Sequence, residues 1–98
     1  MSEKPSRTIA DDMETTKERH RRYLMAMNNP IRRRIIRAIL EGKATEEDLI
    51  DATGLDSRTL DWHIKILEHG YCIEREKNGA IVIFKVTREG KVIDFMEK

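Results

Sequence analysis

Four arginines, Arg32, Arg33, Arg34 and Arg37, stand within six residues of one another in a chain whose formal net charge is only +1. Guanidinium groups at that density suit phosphate. Each can neutralise one phosphate and release its condensed counterion, which gives an affinity for nucleic acid that weakens with salt. The same spacing describes the solvated side of an amphipathic helix, and both readings stay open here. A second group runs from Ser57 to His69. There Arg58, Trp62, Lys65 and His69 share a helical stripe almost opposite Leu60, Ile64 and Leu67, with His63 at the edge of the apolar face. Arg58, near a helix start, can make a bidentate contact with guanine N7 and O6, the commonest specific base contact, while Lys65 better suits a phosphate. Trp62 can meet a sugar, a thymine methyl or the surface of another protein. Asp61 can accept from cytosine N4, although a carboxylate generally repels the duplex.

His63, His69 and Cys72, with Glu68 beside them, raise the question of a metal. Their spacing fits no closed zinc motif, and the two histidines point to opposite sides of one helix. No metal or other cofactor is therefore expected, and Cys72 reads as a small core residue. There is no Gly-rich phosphate loop, no paired nucleophile and base, and no acid dyad, so the chain does not read as an enzyme.

The elements that would hold these groups follow from caps and periodicity. Residues 1–10 are polar, include Pro5, and read as a flexible segment ahead of a domain over 11–98. Asp11 or Asp12 caps a first helix to about Met27, with a thin apolar face of Met13, Leu24 and Met27. Asn28-Asn29-Pro30 breaks and restarts the chain. In IRRRIIRAILEG, residues Ile31, Ile35, Ile36, Ile39 and Leu40 make one wide apolar face, with Arg33, Arg34 and Arg37 on the other side. Thr45 and Asp48 form a capping-box-like start to a short helix that ends at Gly54. Asp56 or Ser57 starts the next, with Gly70 as its left-handed terminator. After Gly70 the period changes to alternation, and Asn78-Gly79 is expected to turn a hairpin. Thr87 then caps a last short helix over 88–97. The fold class is mainly α with a β-hairpin, in the order α-α-α-α-β-β-α.

Composition sets the outer limits. Ninety-eight residues with 39% apolar content make one domain, and with five aromatics its core must be aliphatic. No stretch approaches the roughly 20 apolar residues of a membrane span. The start lacks the apolar centre of a secretory signal, and one cysteine suits a reducing compartment, so a cytoplasmic location is expected. Charge is segregated: residues 17–43 carry a balance of +7 and residues 44–70 one of −5. Ligand steering follows that local field rather than the total.

The segments NPIRRRIIRAIL and TEEDLIDATGLDSRTLDWHIKILEHGYC, then the hairpin and VTREG, together resemble the arsenic-repressor-like (ArsR-like) winged helix-turn-helix regulators over about residues 28–90. The resemblance implies a homodimeric, nucleoid-associated prokaryotic regulator, a repressor in type, that binds duplex DNA and releases it to an effector the sequence leaves unknown. It implies that Ser57, Arg58, Asp61, Trp62 and Lys65 occupy the exposed face of a recognition helix, and that Arg75, Lys77, Asn78 and Gly79 sit on a wing. Helices 11–27 and 88–97 would form the dimer contact. The metal-sensing branch uses cysteines where this chain has EEDLID, and other branches use a last-helix His that is missing here. The alternative reading is a winged-helix protein-interaction module, such as an accessory subunit of the transcription machinery. It draws on the −5 balance of residues 44–70 and on Trp62.

Overall fold

Every long helix starts at a residue whose side chain holds a backbone N–H that the helix itself leaves free. Asp12 accepts from Thr15 N at 2.7 Å, Asn29 from Ile31 N and Arg32 N, Thr45 from Asp48 N and Asp56 from Thr59 N at 2.7 Å. These caps set the starts of α1 (Met13–Met27), α2 (Pro30–Leu40), α3 (Glu46–Thr53) and α4 (Ser57–His69) in a computed structural model that describes residues 7–96. β1 (Ile73–Asn78) and β2 (Ile81–Val86) form an antiparallel hairpin, followed by a 3-10 turn (Gly90–Val92) and α5 (Ile93–Met96). Thr87 accepts from Gly90 N and so caps this last element, which is shorter than the expected 88–97; residue 97 lies outside the described residues. Residues 1–6 of the segment expected to be flexible also lie outside them. Residues 7–10 are tied down: Arg7 N donates to Glu89 at 2.9 Å and Ala10 N to Thr16 Oγ1 at 2.9 Å.

The core is aliphatic, as the composition requires. Ile35, Ile36 and Ile39 of α2 meet Leu49 of α3, Leu60, Ile64 and Leu67 of α4, and Ile73, Phe84 and Ile93. Phe84 N donates to Ala44 O at 2.8 Å, which fastens the hairpin to the approach of α3. The first helix packs on the domain only in part. Its domain-facing residues are Ala26, Met27 and half-buried Tyr23, whereas Met13 is 73% and Leu24 60% exposed. Small Ala26 permits a close crossing with α4 that a larger residue would hold apart. Ile31 and Leu40 also lie at the margin of the α2 face rather than inside it.

Two turns differ by one residue from their expected form, for one physical reason each. The left-handed residue after α4 is Tyr71 (φ 65°), not Gly70 (φ −91°). Tyr71 N donates to Glu68 O and Cys72 N to Leu67 O, the paired bonds of a Schellman motif with Tyr in the position glycine usually takes. Gly70 is needed for space instead: a Cβ there would stand 2.6 Å from Ala26 Cβ and 2.7 Å from Arg22 O. Gly70→Ala should therefore part α1 from α4 and cost about 1–3 kcal/mol, the usual range for overpacking. Equilibrium urea unfolding measures this, and an unchanged midpoint would contradict so close a crossing. In the hairpin, Asn78 pairs with Ile81, so the turn residues are Gly79 and Ala80 rather than Asn78 and Gly79. Gly79 has φ +69° while Ala80 is not left-handed, as in a type II′ turn. This register sets Arg75 opposite Phe84 and Lys77 opposite Val82.

Candidate nucleic-acid interface

The approach to α4 is built from hydroxyls and one glycine. Thr53 Oγ1 donates to Leu49 O at 2.6 Å and accepts from Leu55 N, while Gly54 takes φ +74° and turns the chain sharply from α3 into α4. Burial of Leu60, Ile64 and Leu67 then leaves Arg58, Trp62, Lys65 and His69 facing outward, as their spacing predicts. Arg58 is exposed and has no hydrogen-bond or ionic partner among the described residues. Trp62 is 59% exposed and makes a T-shaped contact with the His63 ring, at 4.9 Å between centroids. At the helix start, Ser57 Oγ donates to Glu46 Oε1 at 2.7 Å, so this hydroxyl is held by α3.

Further along, the cations of this face already have carboxylate partners. Lys65 lies 3.0 Å from Asp61, one helical turn earlier. Arg75 of β1 forks onto both oxygens of Glu68 at 2.9 and 3.0 Å, comes within 3.9 Å of Asp61, and lies 5.5 Å above the Phe84 ring centre. The Glu68 hydrogen bonds hold the Arg75 proton more firmly than usual. Arg75 therefore joins the hairpin to α4. Lys77, further out, is exposed and unpaired among the described residues.

The arginines of α2 divide in three ways. Arg34 projects into solvent without a partner among the described residues. Arg37 meets Asp94 of α5 at 2.8 Å, and Arg33 donates to Met27 O at 3.0 Å. Arg32 is not a surface residue. It is only 6% exposed, and donates to Ala26 O at 3.0 Å, Met25 O at 2.8 Å and Nδ1 of His63 at 3.2 Å. The tetrad read as a possible phosphate clamp thus offers Arg34 freely, with Arg33 and Arg37 engaged by their own fold and Arg32 interior. Sequence reasoning missed Glu46, Glu68 and Asp94 as partners. Each comes from another element, so no local pattern signals it.

Among the described residues no group of three His, Cys, Asp or Glu side chains is placed to hold a metal, and no helix is long and apolar enough to cross a membrane. Cys72 is fully buried, and burial pushes its thiol up to about 12.

The arrangement of helices and hairpin matches solved structures. A winged helix-turn-helix DNA-binding domain from Mycobacterium bovis, solved in solution as a homodimer and described as a possible ArsR-family transcriptional regulator, superposes with a TM-score of 0.70 at 19% identity, covering 98% of this chain and 82% of that one. The fold is a winged helix-turn-helix. A crystal structure of an ArsR family transcriptional regulator agrees, with a TM-score of 0.66 at 21% identity over 82% of each chain. No family model and no curated protein matches the sequence. In winged-helix terms α3 and α4 are the first and second helices of the helix-turn-helix, and β1–β2 is a short wing.

Proposed function

We propose that this chain is an ArsR-like, homodimeric, cytoplasmic regulator that binds duplex DNA sequence-specifically and represses transcription. The observation that carries the reading is Arg58, exposed and without a partner among the described residues, at the first turn of a helix whose opposite face is buried. A helix entering the major groove by its N-terminus presents such a side chain to base edges, and its free N–H groups favour phosphate. Arg34 and Lys77, both exposed, supply phosphate contacts. The ion pairs of Lys65 and Arg75 lower the net charge of this face, so phosphate must compete with Asp61 and Glu68 for them. Selection of bound sequences from random duplex DNA, followed by affinity measurement at several salt concentrations, tests the proposal. A recovered inverted repeat and a negative log–log salt slope are expected; no enrichment and no slope would refute it.

The homodimer rests on apolar side chains of α1 that are largely exposed in the protomer, Met13, Leu24 and Met25. The homodimeric state of the similar Mycobacterium bovis domain supports it. A two-fold pairing of this helix with its copy would bury them. Sedimentation at roughly tens of micromolar, well above a ~1 μM dissociation constant, should show a dimer. Leu24→Glu, which replaces a residue 60% exposed in the protomer, should shift it to monomer without unfolding it. A wild-type monomer at that concentration would remove the dimer from the proposal.

One observation favours a second reading, a winged-helix protein-interaction module. Trp62 is exposed beside Asp61, on a face whose remaining cations are largely neutralised. If duplex DNA of every sequence fails to bind, Trp62→Ala belongs at the centre of a search for a protein interface.

A further inference from the structure

Arg32 is a buried cation with no carboxylate partner among the described residues. Its charge is met by the carbonyls of Met25 and Ala26 at the C-terminal end of α1 and by the imidazole of His63, itself 4% exposed. The end of a helix is its negative pole, and α1 carries no basic residue in its own last turn, so Arg32 supplies from α2 the cation that this end lacks. The third contact imposes a constraint. Guanidinium nitrogens only donate, so Nδ1 of His63 at 3.2 Å from Nη1 must accept, and the ring proton must reside on Nε2. A second proton would turn Nδ1 into a donor facing a donor and set two cations in contact. Arginine cannot relieve this by losing its own proton.

We propose that the Arg32–His63 contact is a proton-operated latch, which joins α4 to the end of α1 at neutral pH and loosens that junction in acid. Among the described residues, burial and the Arg32 charge are what act on His63, and no carboxylate offsets the added charge. From α2 comes Arg32; from α1, the backbone carbonyls of Met25 and Ala26 meet Arg32; from α4, the neutral indole of Trp62 lies in a T-shaped contact with the imidazole. From the α4–β1 connection the Cys72 thiol interacts with Arg32, but it stays protonated. Glu89 acts on Cys72 and Tyr23 rather than on the histidine. Burial and then the Arg32 charge hold His63 below its ordinary 6.5. With the folded value lowered, the unfolded chain binds the proton more readily. Stability from this site is therefore complete above about pH 6.5 and falls as pH drops toward the folded value, by tenfold in the folding constant per unit of depression. The latch does not depend on the DNA-binding proposal.

The test uses the full chain carrying His20→Gln and His69→Gln, so that His63 alone titrates; both replaced residues are exposed. Long-range proton–nitrogen NMR should show an Nε2–H tautomer at neutral pH and a midpoint below about 6.5. The backbone amides of Met25, Ala26 and Met27 should shift with the same midpoint, and their hydrogen exchange should quicken in acid. His63→Gln in the same background keeps a neutral acceptor and should abolish the fall in urea midpoint below about pH 6.5. If that variant does not fold, the tautomer, the midpoint and the α1 amides decide. An Nδ1–H tautomer, a midpoint at or above 6.5, or α1 amides that stay still while His63 titrates would each overturn the latch.

Discussion

Arg32→Ala is expected to destabilise the fold strongly, by about 1–3 kcal/mol for each buried acceptor it leaves without a donor. The substitution deletes three hydrogen bonds, leaving the carbonyls of Met25 and Ala26 and Nδ1 of His63 without their donor. It also opens a void beside Ala26 and Met27, both buried. Against a total stability of about 5–15 kcal/mol for a domain of this kind, such a loss leaves a marginal protein at 37 °C. Arg34→Ala, two residues away in the same helix but solvated, should change stability by no more than about 0.5 kcal/mol. Arg32→Lys cannot reproduce the fork onto two carbonyls and an imidazole, and should recover only part of the loss. Urea unfolding of the three variants at pH 7.5 measures the contrast. Equal, small effects at 32 and 34 would return Arg32 to the solvated face from which the structure removes it.

The second large effect is expected in DNA binding. Arg58→Ala should leave the unfolding midpoint unchanged, because the side chain is exposed and has no hydrogen-bond or ionic partner among the described residues. If Arg58 reads a guanine, its loss should cost roughly 1–3 kcal/mol per half-site and relax preference at one position in each. Two half-sites double the cost. Arg34→Ala should weaken all sequences alike and flatten the salt slope by about one for each phosphate it no longer neutralises. Arg37→Ala should do less, because phosphate must first displace Asp94 at 2.8 Å. Asp61→Ser separates two roles: it releases Lys65 and, in part, Arg75, so binding to duplex of any sequence should strengthen. A loss of specific binding would instead identify Asp61 as a reader of cytosine. Uniform behaviour of Arg58→Ala, Arg34→Ala and Asp61→Ser, with no salt dependence in the wild type, would set the DNA proposal aside in favour of a protein interface around Trp62.

Much of this architecture is written in short-range pattern. The cap residues Asp12, Thr45 and Asp56, the break at Asn28-Asn29-Pro30 and the spacing of Leu60, Ile64 and Leu67 each act within a turn or two, so a sequence displays them directly. The helix-turn-helix order, the hairpin and the outward stripe of Arg58, Trp62, Lys65 and His69 follow from them. Even the near misses are local: a glycine after α4 marks the helix end whether its missing Cβ serves backbone angle or space. Only the crossing of Ala26 over Gly70 shows that here it serves space.

Side-chain partnership is a different matter. Arg32, Arg33, Arg34 and Arg37 are the same residue type within six positions, and nothing in their spacing separates them. Their fates diverge because the fold brings different groups within reach: His63, 31 residues away, for Arg32, and Asp94, 57 away, for Arg37, while Arg34 faces water. Likewise Glu68 stands in the sequence only as a neighbour of His69, and the tertiary structure makes it the partner of Arg75 on the hairpin, whereas the Asp61–Lys65 pair, four residues apart on one helix, is local. Periodicity and capping, which are local in the chain, determined where the elements lie. Which charges remain free to meet a ligand is set by distances between elements, which exist only once the chain has folded.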